Sequence, residues 1–308
     1  MNVASGNEAK KSRSKWRSGN GKRLRVELTS RILDAKPLIG LDLSKVDGRL
    51  DLGGFSLERT PEPPQIRGAT FIDIDFSYAQ LRHLRLFGCR FENCRFDGAD
   101  LADWRQWATD VIGCTFVDAD LQQAAFGGWR EGRGNEFRGC DFSRASLVRI
   151  GSSAATYVDC RFMDTRLDGV NFWQSSIIGC TFSGLLKDVV FDGRMLNEPK
   201  PDPNPMRDVD LTGAVFDGVD FRGVTFDRVR LPKDPDLYLI TDPAALRPIL
   251  ASLATAQDLP GRIGRMILEK ELKVAQGGGG ILVNLRDFGE GGKPMAERLR
   301  NAGITPLG

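Results

Sequence analysis

Six cysteines and a single histidine, His83, are the residues of this 308-residue chain with the widest chemical range. Thiolates bind zinc, act as nucleophiles or pair as disulfides, and a nearby histidine would complete a zinc site or a catalytic dyad. The chain has no C-x-x-C pair, and His83 has no partner near it in sequence. We therefore predict no metal site, reduced structural thiols and a cytoplasmic location.

Other motifs of enzyme chemistry are also missing from the sequence. It has no Ser/His/Asp or Cys/His arrangement and no dinucleotide-binding glycine pattern. The glycine run in residues 276–280 lacks the Gly-Lys-Ser/Thr ending of a phosphate-binding loop, which favours a flexible hinge. We predict a protein without catalytic residues and without a cofactor.

Charge is distributed unevenly along the chain. The totals of 43 basic and 41 acidic residues nearly cancel, yet residues 1–25 carry a net charge of +7 and residues 69–231 one of −5. The first segment is rich in Ser, Gly and Asn, which predicts a basic disordered tail over 1–21 that either solubilises the chain or contacts nucleic acid. No stretch approaches the roughly 18 apolar residues of a membrane helix, so no membrane span is expected.

From Ala69 onward the side chains repeat every five residues. The segment divides into ATFID, IDFSY, AQLRH, LRLFG, CRFEN, CRFDG and ADLAD, and later into CTFVD, CDFSR, CRFMD and CTFSG. The third position is mostly Leu or Phe, the first is mostly small, and the others are mainly polar or Gly. Neither a helical nor a simple strand period gives this pattern. It indicates a backbone that turns a corner every five residues and directs one large and one small side chain inward.

This pattern resembles the pentapeptide-repeat family, whose consensus is A(D/N)LXX, over residues Ala69 to Leu231. The resemblance implies an all-β solenoid, a right-handed quadrilateral β-helix with four pentads per coil and a core of stacked Leu and Phe. We expect about seven to eight coils, a short N-terminal cap and a C-terminal α-helical or mixed segment.

The four sides can be numbered from Phe71. A six-residue loop after Phe126 and a one-residue deletion before Leu186 then keep two core columns in register. If Phe226 and Leu231 rejoin these columns, the second insertion contains one additional pentad's length, and the register across 192–208 stays open. Five cysteines lie beside the Phe column and form a buried ladder. The predicted core consists of Phe76, Phe96, Phe116, Phe142, Phe162 and Phe182 on side two, Leu81, Leu101, Leu121, Leu147, Leu167 and Leu186 on side three, and Cys94, Cys114, Cys140, Cys160 and Cys180.

Outside the repeats we predict accessory segments. Residues 22–65 are expected to form a cap with a short helix over 22–36 and a degenerate first coil, before a β-helix over 66–231 with loops at 127–134 and 192–208. In the C-terminal segment, 232–308, the pattern predicts helices over 243–257, 260–275 and 293–303 and a strand from Ile281. This segment is also a candidate for homodimerisation.

The outward positions of the β-helix suggest a binding surface at the corner between sides four and one. Apolar side chains follow the central residues of both sides, and one tryptophan lies in the 127–134 loop. Such stripes on a β face mark interaction surfaces, unless the chain's own loops cover them or a second copy does. The predicted protein-binding residues are Phe87, Trp107, Trp173, Trp129, Ile72, Ile112, Val158 and Ile178.

Two main functions follow from these observations. The first is a non-catalytic protein-binding scaffold or adaptor that uses this corner. The second is implied by the resemblance: some pentapeptide-repeat proteins resemble duplex DNA, bind DNA gyrase or topoisomerase IV and protect against their poisons. Duplex DNA carries about one charge per 1.7 Å, so a net charge of −5 weakens this alternative. A third hypothesis is an adaptor whose basic tail contacts nucleic acid.

Overall fold

The computed structural model describes residues 3–57, 62–194, 206–275 and 279–308, with side chains from residue 6 onward. The middle of the chain winds into stacked coils whose parallel strands mostly lie 20 residues apart, as Phe71 opposite Phe91 illustrates. Seven complete coils of the described residues begin at Phe71, Phe91, Val111, Phe137, Tyr157, Ile177 and Met206. The fold is the expected all-β solenoid, a right-handed quadrilateral β-helix.

The sides differ in how regular their strands are. Side one is a seven-stranded sheet of Thr70–Ile72, Arg90–Glu92, Asp110–Ile112, Glu136–Arg138, Thr156–Val158, Ser176–Ile178 and Met206–Arg207. Side four holds Gln65–Arg67, Arg85–Phe87 and Arg105–Trp107, and further along Asn171–Trp173, Val190–Asp192 and Asp220–Arg222. Sides two and three hold Arg49–Asp51, Ile74–Asp75, Arg161–Met163, Thr181–Lys187 and Asp210–Asp217, joined elsewhere by isolated parallel bridges, and Lys45–Val46 pairs antiparallel with Arg49–Asp51 at the N-terminal edge.

Each corner of the coil is turned by the residue two positions after the central one. Asp73, Tyr78 and His83 close three successive sides with φ values of 53°, 59° and 64°. This left-handed conformation costs most L-residues energy, and Gly, Asn and Asp adopt it most readily. The preference explains why the fifth position of the pentad is so often Gly or Asp.

The core is built from columns of identical side chains. The six Phe rings of side two stack with centroids 4.6 to 5.2 Å apart and planes within 10° of parallel. The six Leu of side three are buried beside them. This spacing follows the separation of neighbouring strands, roughly 4.8 Å, so the backbone ladder sets the aromatic stack.

The cysteines lie where the repeat predicts. All six are free and buried. The Cys140 thiol donates to the Val111 carbonyl oxygen of the preceding coil at 3.3 Å, and Cys160 donates to Phe137 at 3.4 Å. Burial raises the pKa of the Cys140 thiol well above its usual range. A protonated, buried thiol is a poor nucleophile, so the ladder belongs to the core.

Three irregularities interrupt the coil. The side-four centre Phe126 is followed by the side-one centre Phe137, which places the six extra residues at that corner. The one-residue deletion straightens Thr181–Lys187, which pairs along its length with Asp210–Asp217. Residues 195–205 of the 192–208 loop lie outside the described residues.

The register considered for Phe226 and Leu231 after this second loop is wrong. Asp227 pairs with Arg207 and Arg230 with Asp210, which puts Phe226 on side one and Leu231 on side two. The chain re-enters the coil at Met206 on side one, so Leu211 and Phe216 follow Phe182 and Leu186 instead. The pentad pattern fixes which residues point inward, but not which side a long insertion returns to.

The N-terminal segment is helical, which corrects the disordered tail expected over 1–21. Helix α1 spans Val3–Ser14 and α2 spans Gly19–Leu33, the latter in place of the helix expected over 22–36. Between them Trp16 is only 4% exposed, lies edge-on to Phe55 and donates from its indole nitrogen to the Gly53 carbonyl oxygen at 2.8 Å. One aromatic anchor on the first coil thus orders a segment of disorder-like composition.

The C-terminal segment forms a small core of its own against the last coil. It contains a 3₁₀ turn Pro243–Leu246, α3 Arg247–Leu253, α4 Leu259–Val274, a 3₁₀ segment Leu285–Gly291 and α5 Gly292–Asn301. The strand expected from Ile281 spans Ile281–Asn284 and pairs antiparallel with Leu237–Ile240, a strand that the sequence did not predict.

The glycine run before this strand is not a free hinge throughout. Gly280 donates its backbone N–H to the Val224 carbonyl oxygen at 3.1 Å, and Gly279 is buried; residues 276–278 lie outside the described residues. In the parts of the chain that the structure describes, every helix is too short or too polar to cross a membrane.

Candidate protein-binding face

An outward ladder of cationic and aromatic side chains runs along side four. Arg67, Phe87 and Trp107 lie opposite one another on three successive coils. The rings of Phe87 and Trp107 stack with centroids 4.6 Å apart and planes 6° from parallel. The Arg67 guanidinium lies 4.1 Å from the Phe87 ring centroid, within the range of a cation–π contact.

The loop that follows Phe126 ends in a tight hairpin. Arg130 and Arg133 exchange both backbone hydrogen bonds, at 2.9 and 3.1 Å. The two residues between them, Glu131 and Gly132, have φ values of 53° and 79°. Two positive φ values are those of a type I′ turn, which glycine at the second position favours. The loop therefore has a defined conformation.

Hydrogen bonds fasten this hairpin to the corner between sides four and one. The Asn135 amide accepts from the Thr109 N–H at 2.8 Å and donates to the Gln106 and Phe126 carbonyl oxygens at 3.0 and 2.6 Å. The Arg133 guanidinium donates to an Asp110 carboxylate oxygen at 2.6 Å. Asn135 is fully buried, so losing its amide would leave backbone groups unsatisfied in the core.

The hairpin covers one aromatic residue and presents another. A Cβ at Gly128 would lie 2.8 Å from Trp107 Cδ1, so the loop backbone packs directly on that indole. Trp129, the next residue, is 57% exposed, and the Arg130 guanidinium lies 5.2 Å from the Phe87 centroid. We call Arg67, Phe87, Trp107, Trp129 and Arg130 the aromatic corner.

The continuous apolar stripe expected here is not formed. Trp173 is half-buried. In its outward row on side four, Gly127 and Ser153 separate it from Trp107. On side one, Ile72 is 50% exposed, whereas Ile112, Val158 and Ile178 are half-buried. Glu92 and Arg138 interrupt the same row. The structure brings together Phe87, Trp107 and the loop that carries Trp129, but not the other five residues.

Several features of the surface were missed from the sequence. Arg67 and Arg130 belong to the aromatic corner, although only their neighbours were singled out. At the straightened corner between sides two and three, Leu185 and Val215 lie side by side and are 54% and 60% exposed. The one-residue deletion before Leu186 is the signal that predicts an outward apolar side chain there.

Charged side chains on the other corners pair between coils. Arg144 binds Asp118 through two hydrogen bonds of 2.9 and 2.8 Å, and Arg230 binds Asp210 at 2.6 Å. Asp103 is partly buried, which would raise its pKa, but hydrogen bonds from His83 and Arg85 lower the pKa to about 2. These pairs neutralise acidic groups along the rod.

Two stretches of the β-helix match the model of a known family. The family model "Pentapeptide repeats" matches eight copies in residues 65–103 and 206–232. A search of curated protein sequences gave no significant match.

Among solved structures, a trypsin-treated form of QnrB1, a plasmid-mediated fluoroquinolone resistance protein, is 17% identical and covers 56% of this chain and 90% of its own, with a TM-score of 0.31. HetL, involved in heterocyst differentiation regulation in the cyanobacterium Nostoc sp. strain PCC 7120, is 16% identical over 61% and 89%, with a TM-score of 0.23. Rfr23 from the cyanobacterium Cyanothece 51142 is 10% identical over 54% and 90%, with a TM-score of 0.20.

At such identities and TM-scores these structural likenesses carry no argument about function. The pentads, the four-sided coil and the family model agree with one another, however. The β-helical part of this chain contains pentapeptide repeats, which the family model identifies in residues 65–103 and 206–232.

Proposed function

We propose that the protein is a non-catalytic scaffold that binds another protein through the aromatic corner. The observation that carries the proposal is Trp129, a largely exposed tryptophan on a hairpin of defined conformation. Tryptophan and arginine are the residues most enriched among binding hot spots, where truncation to alanine costs about 2 kcal/mol or more.

The aromatic corner is ordered before a partner binds, which favours tight binding. A side chain that becomes ordered only on binding costs about 0.5 to 1.5 kcal/mol. Here the I′ turn and the Asn135 amide fix the hairpin in the free protein, and the stacked rings of Phe87 and Trp107 support it. Arg67 adds positive charge, whereas Arg130 pairs with Glu131 at 2.9 Å, so we propose a partner surface with an apolar pocket and an acidic group that meets Arg67.

A DNA-like protein that binds gyrase or topoisomerase IV is our second proposal. The net charge of −5 over residues 69–231 weighs against it, as does the pairing of acidic groups with Arg144 and Arg230. An effect of the purified protein on gyrase supercoiling, or rescue of gyrase from a fluoroquinolone, would reverse this order.

The test of the first proposal compares two exposed apolar residues. Wild type, Trp129→Ala and Leu185→Ala would each be used as bait, and captured proteins quantified by mass spectrometry. Leu185 is as exposed as Trp129 but lies on a different corner, so it is the matched control. We expect one captured protein to be retained by Leu185→Ala and lost by Trp129→Ala. The purified partner should bind Trp129→Ala at least about 30-fold more weakly than it binds the wild type. Equal capture by both variants would reject the aromatic corner as the binding site.

Two further expectations belong to this proposal. The reduced thiols support a cytoplasmic location. Homodimerisation through residues 232–308 stays a prediction, which sedimentation of the full chain and of a variant altered in α4 would test.

A further inference from the structure

Most exposed charges on the first two helices are positive. Lys10 and Lys11 on α1, Arg17 after it, and Lys22 and Arg23 on α2 are all exposed. Within the described residues none of these five has an ion pair. We call them the basic helix pair.

Carboxylates in the same segment are already engaged. Glu8 accepts a hydrogen bond of 2.6 Å from the Tyr78 hydroxyl, and Glu27 pairs with Arg31 at 2.7 Å. Asp51 of the first coil accepts from Lys15 at 2.5 Å. Within the described residues the five cations of the basic helix pair make no ion pair, and they outnumber Glu8 and Glu27, the two carboxylates of α1 and α2.

These cations are held on a rigid support. Trp16 is buried on Phe55, and the Arg13 guanidinium donates to the Tyr78 carbonyl oxygen at 3.2 Å, so the end of α1 and the junction after it are anchored to the coil. Leu28 and Ile32 fix α2 against the core. A solvated, disordered tail would lack this pre-organisation.

We propose that the basic helix pair binds the phosphate backbone of duplex DNA. Duplex DNA is a rigid, regularly spaced polyanion, and lysine and arginine bind it by releasing condensed counterions. An anionic membrane is a poorer match, because surface-bound helices need a broad apolar face to insert. From residue 6 onward α1 has only Ala9 as an apolar residue, which is half-buried, and on α2 Val26, 51% exposed, is the one large apolar side chain that is exposed. This inference goes beyond the protein-binding role of the aromatic corner.

The test measures anisotropy of a fluorescein-labelled DNA duplex against NaCl concentration for three full-length proteins. They are wild type, a variant with Lys10, Lys11, Lys22 and Arg23 changed to Ala, and a control with Lys233, Arg262, Lys293 and Arg300 changed to Ala. The control loses the same charge from the C-terminal segment, where all four residues are also exposed. Circular dichroism checks that each variant is folded.

We expect wild type and control to bind with affinity that falls steeply between about 50 and 200 mM NaCl. The helix variant should bind more weakly at low salt, with a log–log salt slope shallower by up to about 3.6, because each phosphate that is no longer neutralised reduces the slope by about 0.9. Equal weakening of helix variant and control would overturn the proposal, because binding would then follow total charge. The proposal would also be overturned if the wild type did not bind DNA. It would be overturned as well if the wild type bound poly-glutamate, duplex RNA or phosphatidylserine vesicles with the same affinity as duplex DNA.

Discussion

Trp16→Ala tests whether one side chain docks the N-terminal helices on the first coil. The wild-type indole is 4% exposed, packs edge-on to Phe55 with centroids 5.5 Å apart and donates a 2.8 Å hydrogen bond to Gly53. Truncating a buried tryptophan to alanine costs about 3 to 5 kcal/mol. We use about 3 kcal/mol, the lower end of this range, because Trp16 packs at the end of the core and the other interactions of the helices remain.

A loss of about 3 kcal/mol raises the undocked population more than 100-fold. Hydrogen–deuterium exchange with mass spectrometry resolves this change by segment. Peptides from residues 3–33 should exchange about two orders of magnitude faster in Trp16→Ala, whereas peptides from the coil over residues 136–192 should be unchanged. Trypsin should also cleave the basic segment much faster.

Trp129→Ala is the matched control, because that tryptophan is 57% exposed and lies far along the chain from the helices. It should leave exchange over residues 3–33 at the wild-type rate. If Trp16→Ala also leaves these rates unchanged, Trp16 does not hold the helices. If it accelerates the coil equally, the helices and the coil unfold as one unit and local docking is refuted.

Three other changes test the coil. Phe142→Ala removes a buried ring that lies between Phe116 and Phe162 and should lower the free energy of unfolding by about 3 to 5 kcal/mol in urea titrations. Phe142→Leu keeps most of the apolar volume and should cost much less, and a similarly small loss for both would contradict the burial of this side chain. Asp103 has a folded pKa of about 2, below its unfolded value near 3.8, so it stabilises the fold above pH 4 and loses this contribution as the pH falls towards 2. In Asp103→Asn the free energy of unfolding should therefore depend less on pH in that window. An unchanged pH dependence would contradict the hydrogen bonds from His83 and Arg85. The six thiols should react with a chromogenic disulfide reagent only after unfolding in denaturant, and rapid reaction of the native protein would contradict their burial.

The pentad pattern predicted the coil because each inward position constrains its residue type directly. A Phe or Leu is needed wherever a column passes, so Phe76 through Phe182 could be placed from spacing alone. The side on which Phe226 lies could not be predicted from spacing, because the length of an insertion does not determine on which side of the coil it ends. Trp16 was missed for a related reason: its pocket is formed by Gly53 and Phe55, residues of another segment, while its own neighbours have the composition of a disordered tail.

Phe87 and Trp107 were predicted from regular outward positions, but the part of the candidate site that occurs only once lies where the repeat is broken. An unbroken repeat gives each coil the same surface shape, and the fold does not constrain the type of the outward residues. On side one the charged Glu92 and Arg138 therefore alternate with Ile72 and Ile112 without cost to the fold. An insertion or deletion instead creates a shape that occurs once. Trp129 lies on the six-residue insertion, Leu185 on the one-residue deletion and the basic helix pair before the first pentad. A partner that must recognise one place on a periodic rod needs such a break, which is why the aromatic corner, and not the longer row on side one, is the better candidate for specific binding.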